Sequence, residues 1–151
     1  MYKNGQGDAQ MTELLLFTLG IKPSILVKGT TDIRFLAKGK YTKPIGTSIL
    51  ISNTPIPELK DTYELGVFLG YYPLSCKLFS TLPQKEIQKG PFLYYNGIHF
   101  NTCGLPKEAL EWCHKIYGEQ MKAYFKNVEY YTYLPSEQTD KIRADRERSF
   151  A

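Results

Sequence analysis

The chain has 151 residues, a length that fits one domain with its own hydrophobic core. Hydrophobic residues make up 42% and charged residues 23%, as in ordinary globular domains, and the apolar runs are too short for a membrane span. The formal net charge of +4 is only mildly basic, which argues against a dedicated nucleic-acid binder. With three cysteines and no signal-peptide pattern, we expect no disulfide framework and a cytoplasmic location.

Hydrophobic periodicity and turn residues predict a helix followed by strands in the first third of the chain. Asp8 is expected to cap the helix and Gly20 to end it, because these residue types favour those positions. Pro23 then breaks the chain before a series of β-branched stretches. The predicted elements are a helix over 9–19 and strands over 24–28, 32–41 and 47–52.

Outside residues 71–91, the rest of the chain carries stronger local signals. Asn96-Gly97 favours the tight turn that joins antiparallel strands. Pro106, followed by acidic residues, is typical of a helix start. A glycine inside a helix costs about 1 kcal/mol relative to alanine, so Gly66 indicates close approach by another element. The predicted elements are helices over 58–69, 74–82 and 106–126, strands over 92–95, 98–100 and 128–134, and a loop over 83–91.

These elements predict an α+β fold in a single domain over residues 1–134. We expect a mixed or antiparallel sheet of four to six strands, with two or three helices packed on one face. The segment 135–151 contains numerous acidic and basic residues in balance. It is predicted to be a charged tail, either a solvated helix or disordered.

Two short motifs resemble those of a known family. Residues 18–24 resemble a TLAGIKxxSL pattern, and residues 64–73 resemble an EIGxFLGYP pattern. Both patterns occur, in this order, in a family of small proteins from anaerobic bacteria that is described as a domain of unknown function. This chain departs from the family in a shorter segment between residues 28 and 49, in the extra Tyr72, and in a hairpin without tryptophan. The resemblance implies a single α+β domain and brings no activity or site residue.

Cys103 is the residue with the sharpest chemical interpretation. It lies shortly before the predicted helix start at Pro106, and the first-turn amides of a helix can stabilise a thiolate. His99, four residues earlier, is a candidate base for this thiol. The sequence indicates no oxyanion hole and no third orienting group. A Cys103-dependent enzyme or redox protein is therefore an alternative, beside the simpler interpretation of a small, semi-buried residue.

A metal site is the second chemical candidate. His99 and Cys103 would need further ligands, because zinc prefers four nitrogen or sulfur donors in a tetrahedron. Cys113 and His114 are adjacent on a predicted helix, about 100° apart, and cannot easily share one ion. Cys113 also falls on the apolar stripe of that helix. We therefore expect Cys113 to pack as a small hydrophobe, and we expect no metal site.

A basic strand face and a set of tyrosines are the binding candidates. Alternate residues of the predicted strand over 32–41 project together, which predicts a cationic face suited to phosphate groups. Lysines also protect edge strands from pairing, so a solvated face is the other interpretation. Tyrosine pairs in strands must place about half of their rings outside the core, where they can contact a ligand. The predicted ligand-binding residues are Arg34, Lys38, Lys40, Tyr71, Tyr72, Tyr94 and Tyr95.

These candidates together predict a non-catalytic binding protein. Its tyrosine-rich, locally basic surface would recognise an anionic small molecule, a nucleotide or a partner protein. A nucleic-acid-associated factor that combines Arg34, Lys38 and Lys40 with tyrosine stacking is a further alternative. No glycine-rich phosphate loop follows a predicted strand, and we expect no cofactor.

Overall fold

The structure, a computed structural model, describes the backbone of residues 5–135 and the side chains of residues 12–135. These residues form an α+β fold, as the sequence predicts. The helices are α1 (Gly5–Thr18), α2 (Arg34–Ala37), α3 (Thr62–Phe68), α4 (Pro73–Thr81), α5 (Gln84–Ile87) and α6 (Pro106–Tyr124). The strands are β1 (Ser24–Lys28), β2 (Tyr41–Ile45), β3 (Ser48–Ser52), β4 (Phe92–Tyr95), β5 (Ile98–Asn101) and β6 (Tyr130–Tyr133). No helix in the described range is long and apolar enough to cross a membrane.

The strands form two antiparallel sheets of three strands each. In the first sheet β3 lies between β1 and β2, with Leu50 opposite Leu26 and Lys43. In the second sheet β4 lies between β5 and β6, with Tyr94 opposite His99. Three helices separate β3 from β4 along the chain, so each sheet pairs only the strands of its own half. The antiparallel pairing agrees with the prediction, and the division into two sheets replaces the single sheet that was expected.

The predicted strand over 32–41 is wrong, because this segment forms the short helix α2 and a turn before β2 begins. The Asp32 carboxylate accepts hydrogen bonds from the backbone N–H of Arg34 (3.2 Å) and from its guanidinium (2.8 Å). Such local bonds compete with a strand ladder. Ile33 and Leu36, three residues apart, pack against the core of the first sheet. Helical spacing, and not alternation, therefore decides which side chains are buried here.

Two helix starts also differ from the prediction. α1 begins earlier than expected, so Asp8 lies inside the helix and does not cap it. α3 begins at Thr62, four residues later than expected, and two side-chain hydrogen bonds hold the backbone at this end. The Asp61 carboxylate accepts a hydrogen bond from the Glu64 N–H (2.8 Å), and the Glu64 carboxylate accepts one from the Lys60 N–H (2.6 Å). The Asp61 N-cap satisfies one of the backbone donors that the first turn of a helix leaves unpaired, and the bond from Lys60 holds the residue before it, so that α3 begins here.

The second half of the chain follows the prediction more closely. The hairpin of β4 and β5, the helices α4 and α6, and the strand β6 lie within a few residues of the expected positions. α5 occupies part of the segment over 83–91 that was expected to be a loop. Residues 136–151, which make up nearly all of the predicted charged tail, lie outside the described residues.

Among residues 12–135, the core consists of two hydrophobic clusters. One joins α1 to the inner face of the first sheet through Phe17, Ile25 and Ile51. The other packs α6 on the inner face of the second sheet. Its buried members are Leu16, Ile21, Leu93, Tyr95, Ile98, Phe100, Ala109, Cys113, Tyr117 and Met121. Because α1 supplies residues to both clusters, it connects the two sheets.

The hairpin turn between β4 and β5 packs directly on α1. Asn96 and Gly97 both adopt left-handed backbone conformations, with φ values of 42° and 106°, as the tight turn predicted for this pair requires. A Cβ atom on Gly97 would lie 2.7 Å from Cγ2 of Thr12. Position 97 therefore requires glycine for two reasons. Its left-handed backbone disfavours other residues, and the close packing of α1 leaves no room for a Cβ atom.

Candidate functional site

A cavity of about 270 Å³ lies between the helix pair α3 and α4 and the edge strand β5. Its walls are mainly apolar. Four aromatic side chains and one imidazole line it, alongside one leucine of α3, one leucine just after α3 and a few polar groups. Concave, largely apolar cavities of this kind are the usual form of small-molecule sites. We take this α3–β5 cavity as the candidate functional site. The ring-bearing residues are Tyr71, Phe79, Phe92, His99 and Phe100.

Close packing of α3 on α4 forms one wall of the cavity. A Cβ atom on Gly66 would lie 2.7 Å from Sγ of Cys76 and 3.3 Å from its Cβ, so no larger residue fits without a shift. Both residues line the cavity. The close approach that the sequence predicts for Gly66 is confirmed, and its partner is Cys76. Burial raises the pKa of the Cys76 thiol to about 11, so this wall carries a neutral thiol at neutral pH.

Tyr71 is held in the cavity wall from two directions. Its ring stacks on that of Phe100, with centroids 5.2 Å apart and planes inclined by 22°. The Nζ atom of Lys22 lies 5.0 Å from the centroid of the same ring. Burial raises the pKa of Tyr71 far above its usual range, with a further contribution from Glu13. Tyr71 is therefore a fixed, neutral wall residue.

Lys22 is fully enclosed by protein. Its ammonium donates a hydrogen bond to the Ser24 carbonyl oxygen (2.8 Å) and lies 3.3 Å from a carboxylate oxygen of Glu13. Burial lowers the pKa of Lys22, and the nearby Glu13 carboxylate opposes this effect. The ion pair, the carbonyl and the Tyr71 ring together compensate for the desolvation of the charge.

The two segments that carry the family resemblance pack against each other at this point. The Ser24 hydroxyl donates a hydrogen bond to the Phe68 carbonyl oxygen (2.8 Å). A Cβ atom on Gly70 would lie 3.2 Å from Cδ of Pro23. With the contact between Lys22 and Tyr71, these interactions connect residues 18–24 to residues 64–73. Both motifs therefore support the wall of the α3–β5 cavity.

His99 lies at the opposite side of the cavity on β5. Its Nε2 atom is hydrogen-bonded to the Tyr133 hydroxyl, and its ring lies 5.8 Å from that of Phe92. Burial lowers the pKa of His99, which favours the neutral imidazole. Burial raises the pKa of Tyr133 to about 12, with a smaller contribution from Tyr131. At neutral pH the pair is uncharged, and the tautomer of His99 decides which partner donates.

Cys103 has surroundings that oppose ionisation. Its backbone is left-handed (φ 53°), and its N–H donates to the side-chain oxygen of Asn101 (2.9 Å). Its thiol points to the Asn101 carbonyl oxygen at 3.9 Å. Burial raises the pKa of Cys103, whereas a reactive thiolate requires a lowered pKa. Nε2 of His99 is hydrogen-bonded to Tyr133 and not to the Cys103 thiol. The pairing of Cys103 with His99 as its base therefore stays a prediction.

Two of the residues considered for a metal site, Cys113 and His114, make other contacts in the structure. Cys113 is fully buried in the cluster under α6, where burial raises the pKa of its thiol to about 12. Nδ1 of His114 is hydrogen-bonded to the Tyr95 hydroxyl at 2.9 Å. Within the part of the chain that the structure describes, no group of three or more histidine, cysteine, aspartate or glutamate side chains is placed to share an ion.

The predicted basic face is not a strand face. Arg34 and Lys38 lie on α2 and at its end, and the Arg34 side chain is 85% exposed and paired with Asp32. Lys40 donates to the side-chain oxygen of Asn53 and lies 5.5 Å from the centroid of the Phe17 ring. These cations therefore lie on α2 and in the turn before β2, and they do not line the α3–β5 cavity.

The four tyrosines predicted to bind a ligand occupy different environments. Tyr95 is fully buried, which excludes it from a ligand surface. Tyr72 packs on Trp112, with centroids 5.6 Å apart, and Tyr94 stacks on Tyr131 at 5.0 Å across the second sheet. Of the seven predicted ligand-binding residues, the cavity includes Tyr71.

Several cavity residues were not singled out by the sequence. Three of them lie on α4: Ser75, Cys76 and Phe79. This helix is short, and the spacing of its apolar residues is only a weak indication of a helix. The one available signal was Gly66, which indicated a close approach without identifying the partner. Comparison with protein-family models, curated proteins and solved structures finds no match for this chain.

Proposed function

We propose that this protein is a non-catalytic binding protein whose ligand is a small, uncharged and largely apolar molecule held in the α3–β5 cavity. The observation that carries the proposal is the cavity itself, about 270 Å³ in volume and lined by five rings. Apolar cavities of about 150 Å³ bind benzene. By this measure the α3–β5 cavity suits a ligand with one or two rings.

The polar groups of the cavity favour an uncharged ligand. The Ser75 hydroxyl donates to the Thr102 carbonyl oxygen (2.8 Å), and the side chain of Asn101 bonds to the Ile87 carbonyl and the Cys103 N–H. These groups are already hydrogen-bonded within the protein. No described lining residue is lysine or arginine, so a buried anion would lose its hydration without gaining a cation. This argument replaces the anionic ligand expected from the sequence. A cytoplasmic location and membership of the resembled family stay part of the proposal.

The proposal is tested with 6-propionyl-2-dimethylaminonaphthalene, an uncharged two-ring dye whose emission shifts to the blue when it enters an apolar site. We expect saturable binding by the wild-type protein and competition by small neutral aromatic compounds. Leu65→Phe adds volume to the cavity wall and should weaken binding by about tenfold or more. Val67→Phe is the matched control, because Val67 lies on the same helix, is 37% exposed and does not line the cavity.

Two results would contradict the proposal. One is the absence of saturable dye binding by a protein whose circular dichroism shows that it is folded. The other is equal loss of binding in Leu65→Phe and Val67→Phe, which would place the dye outside the cavity. If the protein instead prefers an anionic analogue, and high salt weakens that binding, the binding site is the group of basic residues on α2.

One surface observation favours a second candidate function. Phe35 is 92% exposed on α2, between the exposed cations Arg34 and Lys38. An exposed ring flanked by cations suits single-stranded nucleic acid, which combines stacking with phosphate contacts. Fluorescence anisotropy with a labelled oligonucleotide tests this candidate. Salt-dependent binding that Phe35→Ala weakens, and that Phe79→Ala leaves unchanged, would support it. No binding at low salt would exclude it.

A further inference from the structure

Three consecutive residues of β5 line the α3–β5 cavity: His99, Phe100 and Asn101. Neighbouring side chains of a strand point to opposite faces of the sheet, so no single face presents all three residues. β5 has one strand neighbour among the described residues, β4, and its other edge is open. The cavity therefore borders this open edge, and backbone groups of β5 form part of its wall.

The hydrogen bonds of the hairpin show which backbone groups point out of the edge. The Thr102 N–H donates to the Pro91 carbonyl oxygen (3.0 Å). These two residues extend the ladder one position beyond its last strand pair, Phe92 with Asn101. Bonded and non-bonded pairs alternate along an antiparallel ladder, so Asn101 and His99 belong to the non-bonded pairs. Their N–H and C=O groups therefore point away from β4 and toward the cavity.

His99 is the residue whose backbone remains available to a ligand. No hydrogen bond joins its N–H or C=O to any residue outside β4 in the described part of the chain. At Asn101 the protein supplies its own contacts. The Cys103 thiol lies 3.9 Å from the Asn101 carbonyl oxygen, and the Asn101 side chain donates to the Ile87 carbonyl and accepts from the Cys103 N–H. A donor and an acceptor of the backbone thus stand side by side at His99, in a mainly apolar cavity, and require partners there.

Contacts at both ends of β5 limit the length of the ligand. At the C-terminal end the Ser75 hydroxyl donates to the Thr102 carbonyl oxygen (2.8 Å), and both residues are buried. At the other end the hairpin turn packs on α1, where a Cβ atom on Gly97 would lie 2.7 Å from a side chain of that helix. The edge therefore accommodates one residue of extended backbone opposite His99, and not a continuous strand.

We propose that the ligand of the α3–β5 cavity is a small, uncharged N-acylated amino-acid amide with an aromatic or aliphatic side chain. An extended residue between two amides presents its N–H and C=O on the same side, and it exchanges both bonds with His99 as in a bonded strand pair. No described lining residue is an acid, a lysine or an arginine, so charged termini are disfavoured. This inference rests on the proposed function and specifies the class of its ligand.

Displacement of the naphthalene dye tests the inference. The probe is N-acetyl-L-phenylalanine N-methylamide. Its matched control is 2-acetoxy-3-phenyl-N-methylpropanamide, in which an ester oxygen replaces the N–H that would donate to His99. We expect the amide to displace the dye at a concentration about fivefold lower than the ester requires. We also expect the amide to slow hydrogen exchange at the His99 N–H and to leave the Phe100 N–H, which is paired with β4, unchanged.

Two variants test the contribution of the protein backbone. His99→Pro removes the N–H, and an edge strand tolerates proline where the N–H points outward. His99→Ala is the control, because it also lacks the imidazole but keeps the N–H. His99→Pro should bind the amide about fivefold more weakly than His99→Ala. Circular dichroism confirms that both variants are folded, and the comparison of amide with ester decides the outcome if His99→Pro does not fold.

Three results would overturn the inference. Saturable dye binding with equal displacement by amide and ester, or with none by either, would overturn this inference alone. Absence of dye binding by the folded protein would overturn the proposed function and this inference with it. A probe with one further glycine at each end that binds about tenfold more tightly would overturn the small-ligand assignment, because the edge would then accept a segment of protein chain.

Discussion

The Nζ atom of Lys22 lies 5.0 Å from the ring centroid of Tyr71 and connects the loop after α1 to the wall of the α3–β5 cavity. Lys22 is fully buried, whereas its ion-pair partner Glu13 keeps 25% of its side chain exposed. The two residues therefore respond differently to the loss of their partner. A buried charge without a partner is strongly destabilising, and a half-exposed one can turn to water.

We predict that Glu13→Gln destabilises the protein more than Lys22→Met. Glu13→Gln leaves the enclosed ammonium without its carboxylate and should lower the free energy of unfolding by about 3 kcal/mol. Lys22→Met removes the buried charge itself and should cost less. The double variant should recover part of the loss from Glu13→Gln, because it leaves no buried charge. Urea unfolding at neutral pH measures all three, and a larger loss in Lys22→Met than in Glu13→Gln would contradict this ranking.

A pair of glycine substitutions should change stability in opposite directions. A Cβ on Gly66 would lie 2.7 Å from Sγ of Cys76, so Gly66→Ala should lower the free energy of unfolding by about 1–2 kcal/mol. A Cβ on Gly118, inside α6, would meet only the Tyr95 hydroxyl at 3.8 Å. Gly118→Ala should therefore raise the free energy of unfolding by up to about 1 kcal/mol.

The partner of Gly66 supplies the control for that prediction. Removal of the sulfur atom in Cys76→Ala should relieve the clash, so Gly66→Ala should cost much less in the Cys76→Ala background. Thermal or urea unfolding of the four proteins gives this coupling energy. Additive effects of the two substitutions would show that Cys76 is not the group that Gly66 accommodates.

His99 should make stability depend on pH on the acid side of neutrality. Burial lowers its pKa in the folded state below the reference value of 6.5, so the unfolded chain takes up a proton first as the pH falls. The unfolded state is then favoured, and the free energy of unfolding declines from pH 6.5 down through the lowered pKa. Above 6.5 both states are neutral at this residue, and the contribution is fully present.

His99→Phe should flatten the pH dependence in that window, whereas Tyr133→Phe, which keeps the imidazole, should retain a decline. The difference in the free energy of unfolding between wild type and each variant, measured at several pH values, isolates the histidine from the carboxylates. An unchanged slope in His99→Phe would show that this imidazole does not differ in pKa between the folded and unfolded states.

The thiol of Cys103 should react slowly. Because burial raises its pKa, iodoacetamide should modify Cys103 in the native protein more slowly than a cysteine in an unstructured peptide at the same pH. Peptide mapping by mass spectrometry distinguishes it from Cys76 and Cys113. Rapid modification with a midpoint below the reference pKa of 9.0 would revive the hypothesis of a Cys103 nucleophile assisted by His99.

The sequence predicts the elements whose signals are local. Asn96-Gly97 sets its own turn through left-handed backbone, and Pro106 starts α6 because its fixed φ suits the first helical turn. The segment over 32–41 was wrongly predicted to be a strand because its apolar residues alternate as well as having helical spacing. Phe35 satisfies the alternation yet is 92% exposed, whereas Ile33 and Leu36 at helical spacing are partly buried.

The candidate site was harder to predict because its parts are distant in the chain. The end of α3 lies 30 residues before β5 and the end of α4 lies 17 residues before it. No local pattern indicates which helix pair faces which strand edge. Gly66 indicates a close neighbour and His99 is a candidate base, but neither residue indicates that the two lie near each other. Their presence in one cavity depends on the split into two sheets, which leaves the edge of β5 open to the helices.

The hairpin turn also bears on how this protein ages. In a flexible chain an Asn-Gly step cyclises readily: the following backbone nitrogen attacks the side-chain carbonyl carbon and expels ammonia. Water then opens the resulting succinimide, mainly to isoaspartate. Here Asn96 is 6% exposed, its Nδ2 donates to Sδ of Met121 (3.4 Å), and its N–H donates to the Glu129 carbonyl (2.7 Å). The fold thus shields this Asn-Gly bond, and accumulated isoaspartate at residue 96 would record how often the hairpin opens.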